Sequence, residues 1–151
     1  MTVIPSEKKG YRAMMRLMID TNIILDVLLA REPFFKDSKA VLDFCESKKV
    51  LGFISASTAT DIFYLVRKSL KSTEDAYTAL GHILNIVKIL TVTNDDVISA
   101  FTQHAPDFED CLLATCARSN KCAGIVTRNG KDFLTFGIST FSPEEVIELT
   151  T

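Results

Sequence analysis

Short apolar runs of strand type recur along the chain at residues 16–20 (RLMID), 50–55 (VLGFIS), 89–92 (ILTV), 124–127 (GIVT) and 138–141 (ISTF). Between them the apolar period is helical. Ile23, Ile24, Val27 and Leu28 share one side over residues 22–29, and Ala40, Val41, Phe44 and Cys45 do so over residues 36–47. The SASTAT segment offers N-caps before the apolar stretch Ile62 to Val66, and Arg67, Lys68 and Lys71 close that helix where cations suit its dipole. Thr73 is expected to cap a helix reaching residue 87, and Thr93 or Asn94 one reaching residue 104. After Pro106 a helix over residues 107–119 buries Leu112, Leu113, Cys116 and Ala117. A short helical turn follows Arg128-Asn129-Gly130, and a last helix covers residues 143–149. Pro33 ends the first helix, because a helix seldom runs up to the residue before proline. The order β, α, α, β, α, α, β, α, α, β, short α, β, α predicts an α/β domain, a mainly parallel sheet with helices on both faces.

The chain has 151 residues, which suits one domain with a real core. Residues 1–15 are polar and read as a flexible extension, with Met14, Met15 or Met18 as alternative starts; residues 16–151 form the domain. Apolar residues make up 47% and charged residues 24%, so the composition is that of an ordinary globular protein. A net charge of −2 excludes a surface coated in Lys and Arg, though not a local basic patch. Cys45, Cys111, Cys116 and Cys122 form no C-x-x-C, and His82 and His104 have no partner at zinc-ligand spacing. The cysteines therefore read as small buried hydrophobes in a reducing compartment. No apolar run reaches the roughly 18 residues needed to span a membrane, and no signal-peptide core lies near the N-terminus. A cytoplasmic protein is expected.

Four acids stand out by position. Asp20 ends the first strand. Asp61 falls in the first turn of the helix after the second strand. Asp110 falls in the first turn of the helix after Pro106, with Asp107 one turn before it on the same face. Asp132 follows the fourth strand closely. In a parallel sheet the carboxyl ends of the strands share one edge, so acids distant in sequence can converge there. Converging carboxylates repel, and a hard divalent cation is the usual resolution. Each acid also has a plain structural reading. An Asp in a first helical turn is favoured by the macrodipole alone, and capping is the better reading for Asp61 or Asp107 taken singly. Asp132 taken singly is an ordinary turn residue. Asp20 is the hardest to explain in that way, since an acid ending an apolar strand is expected to gain little from capping.

Four segments, MIDTNIILD, STATDIFYL, DFEDCLLATCA and IVTRNGKDF, together resemble the PIN domain family, the fold of VapC-type toxins and related small ribonucleases. The resemblance spans residues 16–141. It implies an α/β fold whose acids bind Mg²⁺ or Mn²⁺ and hydrolyse RNA. It makes Asp20 the first acid, Asp61 the second, Asp110 the third and Asp132 the fourth. The metal would fall to Asp20, Asp110 and Asp132. Asn22 and Thr127 match supporting polar residues, and Asn129 matches a helper of the fourth acid. Many VapC-type members carry Glu as second acid; Asp61 is one methylene shorter and would reach a metal through water. Asp107 adds an acid at the rim. The resemblance further implies the toxin of a type II toxin–antitoxin pair, inhibited by an antitoxin peptide and homodimeric.

Two rivals stand beside that reading. One is another magnesium-dependent phosphoryl-transfer hydrolase, such as a phosphatase with Asp20 as nucleophile, although no second acid follows at two residues. The other is a PIN-like binding module with little activity. A dinucleotide site is unsupported, since no G-x-G-x-x-G follows the first strand. Asp26 and Asp43 are read as solvated helix residues. Phe34 and Phe35 are read as core residues, with a partner contact as the other reading. Arg128 and Lys131 are the cations best placed to meet a substrate backbone, ahead of Arg67, Lys68 and Lys71.

Overall fold

The computed structural model describes residues 14–151. The assigned extension therefore lies, over residues 1–13, outside the described residues. Strand β1 is Met15–Ile19, β2 Val50–Ser55, β3 Lys88–Leu90, β4 Gly124–Val126 and β5 Thr140–Phe141. They pair in the order β3-β2-β1-β4-β5, and every pair is parallel. Helices α1 (Thr21–Leu28), α2 (Phe35–Glu46), α3 (Ala56–Leu70), α4 (Thr73–Leu84), α5 (Asn94–Thr102), α6 (Phe108–Ser119) and α7 (Pro143–Thr150) cover the sheet. A 3-10 turn, Gly130–Phe133, follows β4.

Successive strand residues feed opposite cores, as the pleat requires. Leu17, Ile19, Ile54 and Val126 face a layer built from Ile23, Ile24, Val41, Leu42, Ile62, Val66, Ile83 and Val146. Met18, Phe53, Leu90 and Ile125 face a second layer of Ala100, Leu113, Ala114, Ala117, Phe133 and Phe136. A parallel sheet buried on both faces needs apolar residues at nearly every strand position, so its strands read as continuous apolar runs.

Three local differences from the sequence expectation bear on the site. Helix α3 begins at Ala56, capped by the Ser55 hydroxyl, which accepts from the Thr58 N–H at 3.2 Å. Asp61 therefore lies in the second turn, beyond reach of the helix N-terminus. Helix α4 is capped by Ser72 rather than Thr73. Strand β1 ends at Ile19, and Asp20 is the N-cap of α1. No described helix is long and apolar enough to cross a membrane.

Strand β4 lies flush against β5. A Cβ added at Gly124 would stand 2.5 Å from the Phe141 ring and 2.6 Å from the Ser139 carbonyl oxygen, and backbone cannot yield cheaply. Gly124→Ala should therefore destabilise the domain by about 1–3 kcal/mol. At about 2–4 °C per kcal/mol for a chain of this size, a thermal melt resolves that loss.

Candidate active site

The strand order doubles back between β1 and β4, because the chain leaves β1 for β2 on one side and reaches β4 on the other. Ligands of open α/β sheets collect at such a reversal, outside the carboxyl ends. Asp20 and Thr127 flank it, each one residue past its strand. The Thr127 hydroxyl donates to Asp20 Oδ2 at 2.8 Å. The Thr21 N–H donates to Asp20 Oδ1 at 2.8 Å, so each carboxylate oxygen has a fixed donor. The Asn129 N–H in turn donates to Thr127 Oγ1 at 3.0 Å. Asn22 Nδ2 lies 3.4 Å from both Asp20 Oδ2 and Thr127 Oγ1. Its Oδ1 is buried with no hydrogen-bond partner among the described residues. A buried carbonyl oxygen without a donor is costly, and a hard cation or its water would satisfy it.

The remaining acids arrive from two directions. Helix α6 runs back toward the start of β4, so its first turn lies at the same edge. Asp107 caps it, accepting from the Asp110 N–H at 2.9 Å. Asp132 arrives on the 3-10 turn after β4, its N–H bonded to the Asn129 carbonyl at 3.0 Å. Asp61 is half-buried on α3 and hydrogen-bonds to Glu109.

The charges report on one another. Burial holds the Asp20 carboxyl above its ordinary range, with Asp132 adding to the rise; the hydrogen bonds from Thr127 and Thr21 and the charge of Arg128 oppose it. Asp110 is pushed up to about 6 by burial first, then by Asp107, Asp20 and Asp132. Glu109 is pushed up to about 7, chiefly by its hydrogen bond with Asp61, then by burial and by the charges of Asp61, Asp107 and Asp110. Asp20, Asp110 and Asp132 thus form one group, and Asp61 joins it through Glu109. Among the described residues no three His, Cys, Asp or Glu side chains make a ready-made ion cage. The donor set suits a cation that keeps several of its waters, as magnesium does.

The PIN domain model matches residues 16–131, most of the chain. The protein belongs to the PIN domain family. Solved structures with the same fold include VapBC2 from Rickettsia felis bound to a promoter DNA fragment, at 18% identity and TM-score 0.66, covering 85% of this chain and 98% of that one. A toxin–antitoxin complex from Klebsiella pneumoniae aligns at 19% identity and TM-score 0.62, covering 84% and 97%. The Mycobacterium tuberculosis toxin VapC20, which cleaves the sarcin-ricin loop, aligns at 16% identity and TM-score 0.58, covering 72% and 86%. No curated protein matches the sequence.

Several residues of this PIN domain stand elsewhere than the sequence suggested. Asp20 does cap a helix, so its carboxylate serves α1 and the edge at once. Asn129 supports Thr127 through its backbone N–H. Asp26 is fully buried, where a solvated face was expected. Its partner is Arg128, whose Nε and guanidinium nitrogen reach the two carboxylate oxygens at 2.7 and 3.0 Å. Arg128, partly exposed, is therefore committed to Asp26 and does not stand free for a substrate. Phe34 is 39% exposed rather than in the core, and one face of its ring carries the Arg128 guanidinium at 3.8 Å. Lys131 remains exposed at the rim. Sequence reasoning missed Glu109. The only signal was an acid between Asp107 and Asp110 in the DFED run, which looks like ordinary first-turn charge.

The raised carboxyls fix the sign of a pH effect. Glu109 and Asp110 release protons near 7 and 6 in the folded chain, against roughly 4 when unfolded. Folding takes up protons between those limits, so stability falls as pH rises through the window. The metal-free protein should melt at a higher temperature near about pH 5.5 than near about pH 7.5. The Glu109→Gln/Asp110→Asn variant should lose most of that slope, as thermal melts at the two pH values would read.

Proposed function

We propose that this PIN domain is a divalent-cation-dependent endoribonuclease. The observation that carries the reading is the Asp20 carboxylate, tied by Thr127 and Thr21 at the sheet reversal and faced by Asp110 and Asp132. In this reading Asp20, Asp110 and Asp132 hold Mg²⁺ or Mn²⁺. When bound, such a cation supplies charge neutralisation for a phosphodiester and activation of water.

The chain's own residues do the rest. Thr127 and the Thr21 N–H aim the Asp20 oxygens outward from the strand end. Asn22 sets its Nδ2 against Asp20 and Thr127 and leaves its buried Oδ1 without a donor among the described residues. Asp61 and Glu109, joined by their hydrogen bond, extend the acidic cluster beside Asp110. Lys131, exposed beside Asp132, is available to a phosphate of the RNA backbone. RNA rather than a small phosphate ester is favoured by family membership.

An antitoxin partner belongs to the same proposal. The Rickettsia felis and Klebsiella pneumoniae structures support it, since the second is a toxin–antitoxin complex and the first a VapBC assembly on its promoter. The toxin reading also entails a homodimer.

Asp20→Asn keeps the size and the capping oxygen of the side chain but loses its charge. It should reduce Mn²⁺-dependent cleavage of single-stranded RNA by at least about 100-fold with an unchanged circular dichroism spectrum. Undiminished cleavage would sink the assignment. Thr127→Val removes one orienting donor and should lower activity by about 10–100-fold, read as the initial rate on the same substrate.

A further inference from the structure

Asp26 and Arg128 are separated by 102 residues and hydrogen-bond to each other rather than to the acids of the edge, although the Arg128 charge is felt at Asp20. Asp26 lies one helical turn after Asn22, so both project from the same face of α1. Their partners are neighbours as well: Asn22 meets Thr127, and Asp26 meets Arg128. Helix α1 is thus fastened to the segment after β4 at two successive levels. The Ser38 hydroxyl of α2 donates to Asp26 Oδ2 at 3.0 Å, and Arg31 lies 4.0 Å from Oδ1 at the surface. Phe34 closes over the guanidinium.

This arrangement is a poor way to gain stability. Removing a carboxylate from water costs about as much as its ion pair returns, and well-packed apolar side chains of similar size often do as well or better. A guanidinium fork supplies direction instead. Both of its bonds are satisfied only when the plane of Arg128 matches that of the carboxylate. The segment it fixes carries Thr127, which orients Asp20, then Asn129, whose N–H orients Thr127, then Asp132.

We infer that the Asp26–Arg128 pair is a positioning clamp that holds residues 127–132 in register with Asp20. Neither residue touches substrate or cation; both act through Thr127 and Asp132. The inference rests on the ribonuclease reading for its catalytic consequence, but not for the clamp itself.

The test is the charge-free pair Asp26→Leu/Arg128→Met, with Arg128→Lys beside it. Four quantities are read: melting temperature, amide hydrogen exchange at Asn129 and Asp132, Mn²⁺ affinity by calorimetry, and kcat and KM on single-stranded RNA. The charge-free pair should melt within about 4 °C of the parent. Exchange at Asn129 and Asp132 should quicken at least about tenfold, Mn²⁺ should bind at least about tenfold more weakly, and kcat should fall more than KM rises. Arg128→Lys keeps the charge but not the fork, and should move the same quantities in the same direction. Parental exchange rates at Asn129 and Asp132 in either folded variant would overturn the clamp, as would loss of the fold in the charge-free pair. If the parent itself fails to cleave RNA with Mn²⁺, the ribonuclease reading fails, while the exchange rates still judge the clamp.

Discussion

Every strand of this domain runs the same way, and that single constraint organises the rest. Parallel strands cannot be joined by tight turns, so each connection must cross back over the sheet. Those crossovers are the helices, and they bury both faces. Apolar side chains must then fill nearly every strand position, as in Leu17, Met18 and Ile19 of β1. Polar groups are pushed to the ends of the strands. With one direction for all strands, the polar groups that end them share one edge, and Asp20 meets Thr127 there across the β1–β4 pair.

The edge so formed holds more negative charge than it can neutralise by itself. Asp20 draws on one hydroxyl and one backbone N–H. Asp110 faces Asp20, Asp132 and Asp107, and the hydrogen bond with Asp61 holds the Glu109 carboxyl well above its ordinary range. A structural role would place a Lys or Arg among them. Among the described residues, the guanidinium that acts on Asp20, that of Arg128, is turned into the bond with Asp26. A cluster of acids whose neighbouring guanidinium is paired elsewhere is arranged to receive positive charge from outside.

The sheet was legible in the sequence because two-sided burial leaves strands with no polar interruptions. The order of elements could be read through from the first strand to the last helix. Helix ends were less legible. Ala30, Lys48, Lys71, His104 and Lys121 occupy left-handed positions where glycine would have marked the stops. Ser72 capped α4 beside an equally plausible Thr73. The acids at the edge could be named from position, yet two features of the site could not. Asp26 is a buried charge, and in a sequence a buried charge looks like a surface one until its partner is known. Glu109 looks like ordinary helix-start charge, and only the approach of α3 gives it Asp61 to bond with. Both depend on contacts between segments far apart along the chain, which periodicity does not encode.

The two outer strands, β3 and β5, are only three and two residues long. Their unpaired backbone groups offer an incoming chain only a short ladder to extend, which disfavours strand addition at either margin. Long apolar strands are a hazard when they lie at a margin, and here the two longest, β1 and β2, are inside the sheet. Much of the apolar surface in reach of other molecules is helical instead: Tyr64 on α3, Tyr77 on α4 and Phe101 on α5 are all more than half exposed, as is Leu134 after the 3-10 turn. Those exposed side chains, rather than a strand margin, are the apolar ground such short edges leave for contact with another molecule.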